Sequence, residues 1–162
     1  HFIEWKYDDQ LDWFLLAYER HPQMQEYARQ LNRLYLEQPP LYEVEDGWAG
    51  FRWLQADDRD NSVIIFLRFS QQGKALICMT NFTPRFHSRY RFGLPTPGKV
   101  REILNSDLER FGGSNQYNAQ PLDAEDIPLG GFAQSVEVCV PPLSSVYFEY
   151  ITGEKQNTLE ED

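Results

Sequence analysis

Three clusters of carboxylates are the first residues in this 162-residue sequence whose types and spacing could do chemistry. Paired carboxyls act as nucleophile and acid/base in glycoside cleavage when their surroundings drive their pKa values apart. Asp57, Asp58 and Asp60 form the densest group, but Asn61 follows at once and the pattern is that of a solvated turn. Asp8, Asp9 and Asp12 border an apolar segment and suit the capping of a helical turn. Asp123, Glu125 and Asp126 fall in a loop beside no general acid that the sequence identifies. None has the apolar setting that tunes a catalytic carboxyl. No residue of this chain is therefore assigned a catalytic role.

Other chemistries find less support. His1, His21 and His87 are far apart and give no metal spacing. Cys78 and Cys139 lie in apolar, β-like runs without a CxxC pair, so both are expected as free buried thiols, with a strand-to-strand disulfide as the alternative. The loop Gly112-Gly113-Ser114-Asn115 is glycine-rich but lacks the strand–helix context of a phosphate loop. A net charge of −10 argues against nucleic acid, whose phosphates require clustered Lys and Arg. The acidic surface needs no explanation beyond solvation, and a neutral sugar polymer would tolerate it. Sugars pack their C–H faces on flat rings, which draws attention to the tryptophans. Trp48 follows Gly47 in a loop and is a candidate sugar contact, whereas Trp53 alternates with Phe51 and is expected in the core.

The elements that would position these residues change character at Pro39-Pro40. Before it, Met24, Tyr27, Ala28, Leu31, Leu34 and Tyr35 recur at helical spacing, with Pro22 in the first turn and the double proline as the stop. A shorter apolar segment, 11–16, precedes that helix. After it, strands are expected at 51–54, 62–69, 75–81, 88–92, 100–104, 135–140 and 146–151. The second and third make a hairpin across Gln71-Gln72-Gly73, and Val136, Val138 and Val140 alternate with Glu137 and Cys139 at period two. Short strands punctuated by Gly, Pro, Asn and Asp point to a mainly β, antiparallel sandwich. No apolar run reaches the roughly 20 residues of a membrane helix, and no signal-peptide pattern is present. The chain opens on His1 rather than Met, as expected of a cut amino end. Aromatic residues crowd the first 18 positions beyond what one helix on a sandwich needs, and this suggests a larger domain upstream. The acidic stretch 153–162 has almost nothing to bury and is expected to be disordered.

Specific motifs then narrow the field. Glu4-Trp5 and Leu11-Asp12-Trp13-Phe14-Leu15-Leu16 resemble the EW…LDWxLL segment of bacterial glycogen branching enzymes. His21, Met24 and Leu31-Asn32-Arg33-Leu34-Tyr35 continue that likeness, as do Gly50-Phe51-Arg52-Trp53-Leu54, Asn81-Phe82-Thr83-Pro84, Arg101-Glu102-Ile103-Leu104-Asn105-Ser106-Asp107 and Pro141-Pro142-Leu143. The order is kept across nearly the whole chain. Two departures stand out: Val100 in place of the usual Trp, and Leu129-Gly130-Gly131 where an HG pair is common. The resemblance implies an amylase-type C-terminal β-sandwich over 43–152, preceded at 1–42 by helices left from the end of a (β/α)8 barrel. It implies retaining transfer of α-1,4-glucan chains to α-1,6 branch points, in the cytoplasm and without an organic cofactor, by carboxyls that lie upstream of His1. The partners it implies are α-glucan, reached through the parent enzyme, and the missing barrel. Because the resemblance puts their segment near the barrel's substrate side, Trp5 and Trp13 join Trp48 as candidate glucan contacts. Alone, the chain is expected to be inactive and to stabilise or position the barrel. The alternatives are a free-standing glucan-binding module and a purely structural domain.

Overall fold

The computed structural model describes residues 7–152. Eight strands follow one helix: α1 (Arg20–Glu37), β1 (Phe51–Asp58), β2 (Val63–Phe69), β3 (Ala75–Asn81), β4 (His87–Leu94), β5 (Gly98–Asn105), β6 (Leu122–Asp123), β7 (Gln134–Val140) and β8 (Ser144–Thr152). They form two antiparallel sheets, one of six strands in the order β1-β2-β3-β8-β5-β6 and one of two, β4-β7. The expected antiparallel sandwich is present, and all seven expected strands are found. β6 is the addition: two residues, too short to leave a periodic signal. Among the described residues, no helix is long and apolar enough to cross a membrane.

Alternation decides which side chains meet. Val63, Ile65 and Leu67 of β2, Ile77 and Met79 of β3, and Val146 and Phe148 of β8 point to the inner face of the large sheet. There they meet Tyr90, Phe92 and Leu94 of β4 and the period-two valines of β7, Val136, Val138 and Val140. Ser62 stands at φ 50, outside the extended region, and the second strand therefore begins one residue later than the sequence suggests. Val100, one of the departures, is buried in this core and faces Tyr150 and Leu122 in register. The other, Gly130-Gly131, places two residues at φ 60 and φ 84 between the bridged Leu129 and Phe132, a turn that favours glycine at both positions.

The outer face of the large sheet is covered in part by α1. The helix touches β5, and its first half leans on the 3-10 turn Glu109–Phe111, with the Tyr27 and Phe111 rings edge to face at 5.3 Å. The turn Pro39–Leu41 that ends it rests on β2 and β3. Arg68 fixes this return by donating from Nε to the Pro40 carbonyl at 3.2 Å and from its terminal nitrogen to the Val44 carbonyl at 3.0 Å. Burial beneath this layer pushes the Cys78 thiol up to about 12 and the Tyr147 hydroxyl up to about 12. Both cysteines are free, Cys78 buried and Cys139 half-buried.

Two features of the amino-terminal region depart from a regular, fully packed helix pair. The segment around 11–16 is not a second α-helix but a 3-10 turn, Trp13–Ala17, and Asp12 caps it through its carbonyl rather than its carboxylate. The apolar stripe of α1 is also split. Leu34 is buried and Tyr27 and Leu31 half-buried, while Met24, Ala28 and Tyr35 face solvent. A flat sheet accepts only about one side of a helix, and the remaining edge of so wide a stripe has no cover here.

A pH-sensitive tie joins the two sheets. The Tyr90 hydroxyl of β4 donates to Asp58 of β1 at 2.6 Å, and Asn61 donates to the same carboxylate. Partial burial works to raise the Asp58 carboxyl, yet the hydrogen bonds from Tyr90 and Asn61, with His87 nearby, hold it below the ordinary carboxylate range. A carboxyl depressed in the folded state stabilises the fold above its unfolded pKa of about 3.9, and that contribution disappears as pH falls through the folded value. Tyr90→Phe should therefore cost about 1–2 kcal/mol at pH 7. In urea titrations the gap in midpoint between the two proteins should hold from pH 7 to about pH 4 and narrow progressively below it.

Candidate functional site

The carboxylates that could have acted as acid and base are either engaged in architecture or exposed in turns. Asp58 holds the turn and the inter-sheet tie, with Asp57 and Asp60 exposed beside it. Asp123 pairs with Lys99 at 2.8 Å, Glu125 with Arg91 at 2.9 Å, and Asp126 accepts from Gln134. Asp8 and Asp9 lie exposed in a turn. None of these carboxylates is enclosed with another across a cleft.

The polar residues of the motifs are similarly consumed. Asn81 donates to the carbonyls of Arg85 and Pro141, both at 2.8 Å, and accepts from the amide and hydroxyl of Thr83 at 2.9 Å. Asn105 accepts from the Asp107 amide at 2.8 Å and donates to Glu102 and to the Gln116 carbonyl at 2.9 Å. Asp107 is buried and collects the Ser114 amide and hydroxyl and the Gln116 amide at 2.8–2.9 Å. The glycine-rich loop thus wraps a carboxylate of its own chain. A side chain at Gly113 would strike the Asp107 carbonyl at 2.1 Å.

What remains for recognition is aromatic. Trp48 is 78% exposed on the 3-10 turn Trp48–Gly50, and its ring lies 6.0 Å from Phe51. Phe51 in turn packs against Trp53 at 5.0 Å and stacks on Phe66 at 5.3 Å. Trp53 does alternate with Phe51, but it is 43% exposed, contrary to its expected place in the core. β1 is an edge strand, and the side that carries both rings faces away from the small sheet; Leu54, on the opposite side, is the residue that enters the core. A period of two says which residues share a face, not which face is inside.

Trp13 is 61% exposed and, with Leu11, Leu15, Leu16 and His21, borders a shallow hollow of about 180 Å³ before α1. Trp5 lies outside the described residues. Trp13 and Trp48 therefore belong to separate surfaces, one at the head of the helix and one at the edge of the large sheet. Sequence reasoning missed a third feature. An open groove of about 440 Å³ lies between the first turns of α1 and the ends of β3 and β8. The motifs NFTP and PPL supply Phe82 and Leu143 to its rim, but nothing in the sequence links them to the rest of the lining.

Comparison with known proteins fits this geometry. Residues 53–151 match the family described as alpha amylase, C-terminal all-beta domain. The chain is 42% identical over 151 residues to the 1,4-alpha-glucan branching enzyme GlgB of Shewanella baltica, covering 93% of this chain and 20% of that protein. It is 43% identical over 141 residues to the enzyme of the same name from Pseudomonas fluorescens, covering 87% of this chain and 19% of the other. The GlgB of Halothermothrix orenii is 38% identical over 149 residues, 91% of this chain and 24% of its own length. The chain thus spans about a fifth to a quarter of the relatives it matches. The family match covers well over half of the sequence and coincides with the strands described above, so this chain belongs to the alpha-amylase C-terminal all-beta domain family.

Proposed function

We propose that this chain is the C-terminal part of a 1,4-α-glucan branching enzyme, and that it braces a catalytic barrel without taking part in the chemistry. In this reading the segment 1–42 closes the barrel and 43–152 is the sandwich that flanks it; residues 1–6 and the acidic stretch 153–162 lie outside the described residues. The carboxyls that cleave an α-1,4 bond, hold the glycosyl intermediate and pass it to an α-1,6 acceptor belong to the upstream barrel, at the ends of its strands. This is cytoplasmic chemistry without an organic cofactor, and the partner is a neutral α-glucan.

One observation carries the proposal: the uncovered edge of the amino-terminal stripe. Trp13, Met24, Tyr35 and Leu36 are all exposed on the turn and helix that precede the sandwich. Exposed apolar side chains concentrated in one short segment mark a surface built for contact with protein. The relatives, four to five times longer, supply a polypeptide to cover it. Trp5 and Trp13 would then meet glucan only at the border of that contact.

A second reading, a glucan-binding module, is favoured by Trp48, which presents its ring on an aromatic patch away from the helix. Quenching of tryptophan fluorescence by maltoheptaose, abolished by Trp48→Ala, would support it.

Mixing decides the main reading. The chain alone should leave the iodine stain of amylose unchanged. Added to a branching enzyme truncated before this domain, it should associate and raise that enzyme's thermal midpoint. A Met24→Ser/Tyr35→Ser variant should bind at least tenfold more weakly. Branching or hydrolysis by the chain alone, or full association by the double variant, would overturn the proposal.

A further inference from the structure

The groove between α1 and the ends of β3 and β8 has the make-up of a sugar site. Its base is a cross-strand pair on the outer face of the large sheet, Thr80 opposite Ser145, whose hydroxyls lie 3.2 Å apart. Ser106 stands beside them and accepts from the Ser145 amide at 2.9 Å. A hydroxyl carries one donor and two acceptor sites. Within the Thr80–Ser145 pair one hydroxyl donates to the other, so one O–H is left over, and Ser106, bonded there as an acceptor, keeps its own proton. The walls are aromatic: Tyr27 and Phe111, held edge to face, and Phe82.

The rim is unusual for a solvated surface. Phe82 is 61% exposed and Leu143 68% exposed, on adjacent turns joined by a hydrogen bond from the Leu143 amide to the Thr83 carbonyl at 2.8 Å. Leu143 is held at φ 45, a left-handed conformation that disfavours a bulky side chain and persists only where its surroundings impose it. The lining carries no ionised group; burial raises the Tyr27 hydroxyl and keeps it protonated. A neutral ligand is therefore favoured. An apolar side chain from another polypeptide would cover the hydroxyls without satisfying them, and a buried polar group left unpaired is costly. A polyhydroxylated ligand meets both demands, with C–H faces on the rings and hydroxyls on the base. The volume, about 440 Å³, lies within the usual range for small-molecule sites.

We propose that this groove is a glucan subsite, holding a short α-1,4-linked segment between Phe82, Phe111 and the Thr80–Ser145–Ser106 hydroxyls. The α-1,4 linkage is taken from the proposed function above; the sugar chemistry comes from the groove. Its place at the foot of the helix lets the sandwich hold a long chain at a distance from the reacting bond.

Maltoheptaose titrated calorimetrically into the 162-residue chain tests the assignment. Saturable binding is expected, weakened at least tenfold by Phe82→Ala and severalfold by Thr80→Val, and unchanged by Trp48→Ala. Both Phe82 and Leu143 are exposed, so Phe82→Ala and Leu143→Gly should keep the thermal midpoint, which shows that lost binding is not lost folding. Cellohexaose, β-linked, should bind at least tenfold more weakly. Absence of binding to the unaltered chain, or equal binding by Phe82→Ala, would sink the subsite. If the chain then still docks on the truncated enzyme, the bracing function stands without it. Sugar binding without docking would leave the subsite and remove the brace. Docking that fails in Phe82→Ala would make the groove a seat for polypeptide and overturn the assignment.

Discussion

The seven-residue pairing of β3 with β8, from Ala75 opposite Tyr150 to Asn81 opposite Ser144, sets the constraint that the rest of the molecule meets. It joins residues about seventy positions apart and lies in the middle of the six-stranded sheet. Five consecutive residues of β3, Ala75 to Met79, are buried, so that strand needs cover on both faces. The inner face is closed by β4 and β7. A two-stranded sheet cannot also wrap the other side, and that side carries Leu76, Cys78 and Tyr147. The helix answers this need, and Arg68 ties down the chain that follows it. Because α1 spends one edge of its stripe on the sheet, the other edge is left outward. The exposed apolar edge is thus a consequence of the sheet's own demand, not of a poorly designed helix.

The motifs that resemble branching enzymes acquire a physical meaning from this frame. Asn81, Asn105, Asp107 and Asn118 each gather backbone groups at places where the chain leaves a strand and runs without ladder partners. A buried amide or carbonyl without a partner is costly, and a short side chain with two or more polar sites supplies several bonds at once. Residues that look like reactive acids and amides in the sequence therefore serve as local scaffolding for loops too irregular to satisfy themselves. Asn118 illustrates it: its side chain bonds both the amide and the carbonyl of Cys139, as a neighbouring strand would.

Much of the architecture could be read from periodicity. The β-branched run of β2, the valine alternation of β7 and the proline stop after α1 are local signals, and each produced the element it indicated. What could not be read was allocation between faces and sheets. Trp53 was placed on the same side as Phe51, correctly, but that side proved to be the outer one, because nothing within β1 records that it would lie at an edge. The helical stripe was correct in membership and too wide for the surface it meets. The groove was invisible for a similar reason: Tyr27, Phe82, Phe111 and Ser145 come from four separate stretches that only the β3–β8 register and the return of the helix bring together. The tryptophans drew attention for their size, whereas the groove is lined by Phe, Tyr and hydroxyls that no spacing rule links.

These observations separate scaffolding from recognition. Where a polar side chain supports the fold, its bonds are filled: Asp107 has three donors on its carboxylate and Asp58 has a tyrosine and an asparagine. Where surface is left for a partner, the signs are reversed. Apolar rings stay in water, hydroxyls keep an unused proton, and Leu143 holds a backbone conformation that its own side chain opposes. Single exposed apolar residues are ordinary on a protein surface, so what marks these positions is their grouping, Met24, Tyr35 and Leu36 on one helix and Phe82 and Leu143 on adjacent turns. The exposed apolar edge and the hydroxyl-lined groove share the helix between them, through Met24 on the rim and Tyr27 in the wall. Any contact that shifts α1 against the sheet must therefore reshape the groove, so a barrel seated on one side of the helix and a sugar held on the other would be energetically coupled through a single rigid element.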